Sequence, residues 1–120
     1  MEPGLNVWPH EQKTAEALAC AGYVVKFIRQ SEIPYEKTAD VLINGERWEF
    51  KAPTAANLKA IERNLKRGRW QSSCIVFDSR RMKGLPDKAI LREVTKRAFE
   101  VPHVDKLLYV SKQGSVVDIK

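Results

Sequence analysis

The sequence predicts an α/β layer fold with a mixed central sheet, and three observations carry that prediction. Asn44-Gly45 separates two alternating apolar segments and is the strongest short hairpin signal, because a type I′ turn needs two residues that accept positive φ. Ser73–Phe77 and Lys106–Val110 are short apolar runs that read as buried strands. Segments with helical apolar spacing precede the hairpin and separate those runs, so that helices and strands intermingle as a layered fold requires.

Each element follows in order. Met1 to Pro9, with Pro3, Gly4 and Pro9, is an irregular lead-in. His10 to Ala21 reads as a helix with Ala15, Leu18 and Ala19 on one stripe, closed by Gly22, which tolerates the left-handed conformation of a C-terminal cap. Tyr23 to Ile28 reads as a strand, and Arg29 to Glu36, containing Pro34, as a loop into the hairpin. Pro53-Thr54 ends the second hairpin strand and opens a helix to about Arg67, ended by Gly68, with Leu58, Ile61 and Leu65 as its apolar stripe. After the strand Ser73–Phe77, a basic turn from Arg80 to Pro86 leads to a helix from Asp87 to about Phe99 with Ile90, Val94 and Ala98 inward. Lys106–Val110 and Ser115–Ile119 close the fold around Gly114. The order is helix, three strands, helix, strand, helix, strand, strand.

At 120 residues the chain is read as one domain, residues 1–120, with a core that needs no staples. No apolar run approaches the roughly 20 residues of a membrane span. Cys20 and Cys74 lack metal-ligand spacing and are expected to be small core residues; Trp8, Trp48 and Trp70 are also expected in the core. The net charge of +6 points to polyanionic partners. Its distribution says more, because Lys59, Arg63, Lys66 and Arg67 recur at helical spacing on a face apart from the apolar stripe. That stripe is either a phosphate-gripping surface or a solvated face.

The hairpin carries the chemistry. With a two-residue loop, Ile43 pairs with Glu46, and stepping outward sets Asp40 opposite Glu49. Asp40, Leu42, Arg47, Glu49 and Lys51 then share one side, while Val41, Ile43, Trp48 and Phe50 form a core face. Facing carboxylates repel across a strand pair, and a divalent cation between them reverses the sign.

An opening helix with an acid, then strands bearing Asp and Glu-x-Lys, then a helix and a strand, resembles the PD-(D/E)XK nuclease superfamily and its α-β-β-β-α-β core. The resemblance covers about His10 to Phe77. Its motif falls on Asp40, Glu49 and Lys51, with Ala39 where the motif has Pro. The helical acid is assigned to Glu11, which shares a face with Ala15, Leu18 and Gly22, whereas Glu16 is turned away. Within the superfamily, Lys37-Thr-Ala-Asp…Asn-Gly…Trp-Glu-Phe-Lys-Ala-Pro53 is similar to the C-terminal tRNase toxin domain of CdiA-type contact-dependent growth inhibition proteins.

That resemblance implies phosphodiester hydrolysis, with Asp40, Glu49 and Glu11 holding Mg²⁺ or Mn²⁺ (or another divalent ion such as Zn²⁺) and Lys51 orienting water or touching the scissile phosphate. It also implies delivery as a secreted or cell-surface toxin into the cytoplasm of a target cell, tRNA as substrate, and a small immunity protein as partner. Gln71, just before the fourth strand, either contacts the substrate or caps the strand. Three other readings are open: a restriction- or repair-like DNA endonuclease of the same superfamily, a metal-free ribonuclease using His10 and His103, and a non-catalytic nucleic-acid-binding module.

Overall fold

A computed structural model of the chain describes residues 8–28, 40–70 and 72–120, the side chains of Ile28 and Asp40 excepted. The elements run α1 (Pro9–Cys20), β1 (Val25–Ile28), β2 (Asp40–Ile43), β3 (Glu46–Lys51), α2 (Lys59–Gly68), β4 (Cys74–Asp78), α3 (Asp87–Glu100), β5 (Lys106–Val110) and β6 (Val116–Asp118). Type and order agree with the sequence reading. The start of the lead-in, the Arg29–Glu36 loop, Ala39 and Gln71 lie outside the described residues.

The strands form one sheet in sequence order, β1 through β6. β1–β2, β2–β3 and β5–β6 are antiparallel, whereas β3–β4 and β4–β5 are parallel. Parallel neighbours need a crossover, and α2 and α3 supply the two required. Both helices pack on one face, where Ile61, Leu65, Ile90 and Val94 meet Ile75, Phe77, Leu107 and Tyr109. α1 covers the other face through Ala17 and Leu18, against Val41, Ile43, Trp48, Val76 and Leu108. β4 lies between both layers and is buried along its whole length, which is why it reads as an unbroken apolar run ending in Asp78.

The hairpin has the expected loop. Asn44 and Gly45 stand at φ +52° and +86°, and Ile43 pairs with Glu46, Leu42 with Arg47 and Val41 with Trp48. Asn44 also binds β1's approach, its side-chain oxygen accepting from the Val24 amide at 2.9 Å and its own amide donating to the Val24 carbonyl at 2.8 Å. Gly22 closes α1 as expected, at φ +100°. The Tyr23 amide bonds the Leu18 carbonyl and the Gly22 amide the Ala19 carbonyl, the paired bonds of a Schellman cap.

Several expectations are corrected. The buried stripe of α1 is Thr14, Ala17 and Leu18; Ala19 is exposed, because the helix is turned so that Thr14 faces the end of β4. Cys20 is exposed on the last turn, whereas Cys74 is buried. Trp48 is buried, but Trp8 and Trp70 are 50% and 74% exposed. The helix expected from Pro53-Thr54 begins at Lys59, where the Asn57 side chain accepts from the Ala60 amide at 3.0 Å. Gly68 is the last residue of that helix, with no left-handed φ, and so is not its cap. None of the helices described is long and apolar enough to cross a membrane.

Candidate functional site

β3 positions the central pair. Trp48 and Phe50 point into the α1-side core, so Glu49 and Lys51 alternate onto the opposite face. The Lys51 amine lies 3.7 Å from Glu49 Oε2, and the two side chains keep only 20% and 24% of their exposure. The ladder between β2 and β3 is paired to Val41–Trp48; one step further the same register sets Asp40 beside Glu49. Asp40 pairs in turn with Ile28 of β1, so its backbone position is fixed from that side of the sheet.

Burial raises the Glu49 carboxyl above its ordinary range. Lys51 pulls it back, Glu11 pushes it further up, and Arg47 lowers it slightly; the balance stays upward. The predicted helical acid is therefore within electrostatic reach of Glu49. Its carboxylate also accepts from the Trp8 amide at 3.0 Å, fixing the first turn of α1. Glu16 is felt instead by Arg80, on another side of the helix.

Among the described residues no three His, Cys, Asp or Glu side chains group closely enough to hold a metal. Glu49 and Glu11 supply hard oxygen donors of like charge, and the β2–β3 register carried one step further sets the Asp40 backbone beside Glu49. Carboxylate oxygens are the hard donors that a divalent cation takes, so these residue types suit Mg²⁺ or Mn²⁺.

α2 forms the wall over Lys51. A β-carbon at Gly68 would stand 3.4 Å from Lys51 Cε and 3.1 Å from Ile75 Cδ1, so glycine is what allows the helix to lie this close. Lys59, Arg63, Lys66 and Arg67 are all exposed along that helix, and Lys66 stands 3.6 Å from Glu62. Glu62 also pairs with Arg97 of α3 at 3.0 Å, so part of the positive charge is compensated locally.

The family model described as contact-dependent growth inhibition CdiA C-terminal domain matches residues 37–116, a span that contains the whole hairpin site. The chain belongs to that family. As a CdiA C-terminal domain it is a toxin of contact-dependent growth inhibition, a class delivered to target cells. Its fold is similar to that in the CdiA-CT/CdiI toxin and immunity complex from Burkholderia pseudomallei, with a TM-score of 0.65 and 23% identity over 100% of this chain and 93% of that one. No curated protein sequence matches the chain.

One feature of this CdiA C-terminal domain escaped the sequence reading. Asp78, at the end of β4, is buried and accepts from the Thr14 hydroxyl at 2.6 Å and from Arg80 through Nε, Nη2 and the backbone amide. The bonds to Asp78 hold the Arg80 guanidinium above its ordinary range. Pro9, His10, Lys13, Arg80 and Arg81 surround Asp78 in an open cleft of 480 Å³. His10 lies at the edge of this cleft, pushed below its ordinary range by burial and by Arg81 against the opposing pull of Glu11 and Asp78. His103 is far along the chain, in the turn after α3, at φ +70°.

Proposed function

We propose that the domain is a metal-dependent nuclease acting on tRNA in the cytoplasm of the target cell, with Asp40, Glu49, Lys51 and Glu11 as its site. The observation that carries this reading is the half-buried Glu49–Lys51 pair on one face of β3, with the Glu11 charge within reach and Asp40 one register step beyond the last pair of the hairpin. A bound Mg²⁺ or Mn²⁺ would supply an acidified water and offset charge on the phosphoryl oxygens. The carboxylates would hold that ion. Lys51, partly withdrawn from solvent, would set a compact positive charge where a phosphate oxygen gains negative charge. The exposed stripe of α2 would hold the substrate by its phosphates, without reading sequence.

Membership of a growth-inhibition toxin family supports an attack on a molecule every cell needs, and the toxin and immunity complex with the similar fold supports a protein inhibitor. That inhibitor is read as a small acidic immunity protein, because opposite charge speeds association with a chain of net charge +6. The test is incubation of the purified domain with total tRNA and with plasmid DNA, each with Mg²⁺, Mn²⁺, Zn²⁺ or EDTA. Cleavage of tRNA that EDTA stops is the expected result. Cleavage of DNA alone would replace tRNA by DNA as substrate, and cleavage of neither would end the nuclease reading.

Gly68 provides a finer test. Alanine there gains about 1 kcal/mol of helix propensity but crowds Lys51 Cε and Ile75 Cδ1. Gly68→Ala is expected to change the melting temperature by only a few degrees and to lower kcat about tenfold or more, with KM little changed. Unchanged kcat would show that the Lys51 amine tolerates displacement by the helix.

A further inference from the structure

We propose that the cleft at the carboxyl ends of β3 and β4 is a phosphate subsite that seats a nucleotide neighbouring the one being cut; this rests on the nuclease reading above. Crevices outside the carboxyl ends of parallel strands are where open α/β sheets bind ligands. This one lies at the end of the same strand that carries Glu49 and Lys51, because Arg81 Nη1 donates to the carbonyl of Ala52, the residue after Lys51, at 3.0 Å. Lys13, Arg80 and Arg81 bring three positive charges to its lining and Asp78 one negative charge.

The lone acid is already committed. Asp78 is tied to Arg80 by Nε and Nη2 and to Thr14 within the protein, so that pair is a fixed wall. Lys13 and Arg81 remain as the excess positive charge, one on an exposed helical turn and one anchored to the end of β3. Pro9 and the His10 ring also line the hollow and offer a less polar surface for a sugar or base. The 480 Å³ volume falls in the range of small-ligand pockets, about 300–1,000 Å³. A flexible strand can feed a nucleotide into such a hollow, whereas a folded protein partner needs a broad surface, so nucleic acid is the occupant the shape favours.

The test measures binding without cleavage, using a labelled single-stranded RNA oligonucleotide and the intact domain carrying Lys51→Ala, in EDTA, by fluorescence anisotropy across a salt series. Adding Lys13→Glu should weaken binding about tenfold near 0.1 M salt and flatten the log–log salt slope by about 0.7, the change expected when one phosphate is no longer neutralised. Lys88→Glu, the same charge change on the exposed side of α3, is the control and should do much less. Arg81→Gln should resemble Lys13→Glu; because Arg81 also braces Ala52, the exposed Lys13 decides the matter. Equal effects of Lys13→Glu and Lys88→Glu would overturn the subsite. So would unchanged RNA binding with weakened capture of the immunity protein, which would make the cleft a protein-docking surface. Absence of cleavage by the parent domain under every metal would sink the nuclease reading while leaving this binding comparison intact.

Discussion

Glu49→Gln and Lys51→Ala are each expected to lower cleavage by at least about 10²–10³-fold, the usual loss when a group aimed at developing charge is removed. The two variants should differ in stability. Glu49 has its proton affinity raised by burial above the ordinary value of 4.5, so the folded state binds the proton better than the unfolded chain does. The stability this contributes is fully present below the unfolded pKa and is lost as pH rises through the folded value. At neutral pH the buried carboxylate therefore burdens the fold, and the isosteric neutral amide removes that burden. Glu49→Gln should melt higher than the parent at pH 7.5 in EDTA, with the advantage shrinking towards pH 4. An inactive protein of greater stability is the signature of a strained functional carboxylate. A variant that melts lower than the parent at neutral pH would instead mark Glu49 as one half of a structural ion pair.

Asp78→Ala is the second large effect, and it falls on stability. The change leaves Arg80 and the Thr14 hydroxyl facing a buried gap, and breaking a buried charged pair from one side typically costs about 3 kcal/mol or more. Native domains hold only about 5–15 kcal/mol in total, so the urea midpoint should fall visibly. Thr14→Val should cost about 1 kcal/mol, the net worth of one hydrogen bond. If Asp78→Ala left the urea midpoint unchanged but removed activity, Asp78 would join the carboxylates proposed for the site.

What the sequence made legible was local. Asn44-Gly45 specifies its own turn, and strict alternation then assigns every side chain from Val41 to Lys51 to a face, so the register and the Glu49–Lys51 pair follow from adjacent residues. The α-β-β-β-α-β order was likewise written in periodicity. Where placement depends on distant partners, the reading failed. Ala15, Ala17 and Ala19 offer equally small faces, and only Thr14 bonding to Asp78, 64 positions away, settles which side of α1 turns inward. The same distance hid Asp78, which in the sequence simply follows the apolar run Ser73–Phe77. Trp70, expected in the core, stands beyond the last turn of α2 with the Arg69 guanidinium 4.8 Å from its ring centre. Asn57 was the missed signal for the later start of α2. The side chains of Asp40 and Gln71 lie outside the described residues, and their predicted roles rest on register and position alone.

β3 belongs to two ladders of different kinds, and this bears on how the domain assembles. Its pairing with β2 closes a two-residue loop, whereas its pairing with β4 must wait until the whole of α2 has been brought back across the sheet. Hairpins form in about 1–10 μs, and pairings distant in sequence come later because loop closure must precede them. The strand bearing Glu49 and Lys51 is thus expected to gain its pleat early from a local template and its burial late from β4 and α2. Nuclease competence would then appear only with the final consolidation of the parallel core. A chain that enters a cell unfolded would stay harmless until that last step, and amide exchange at β4 should track the return of activity more closely than exchange at the hairpin.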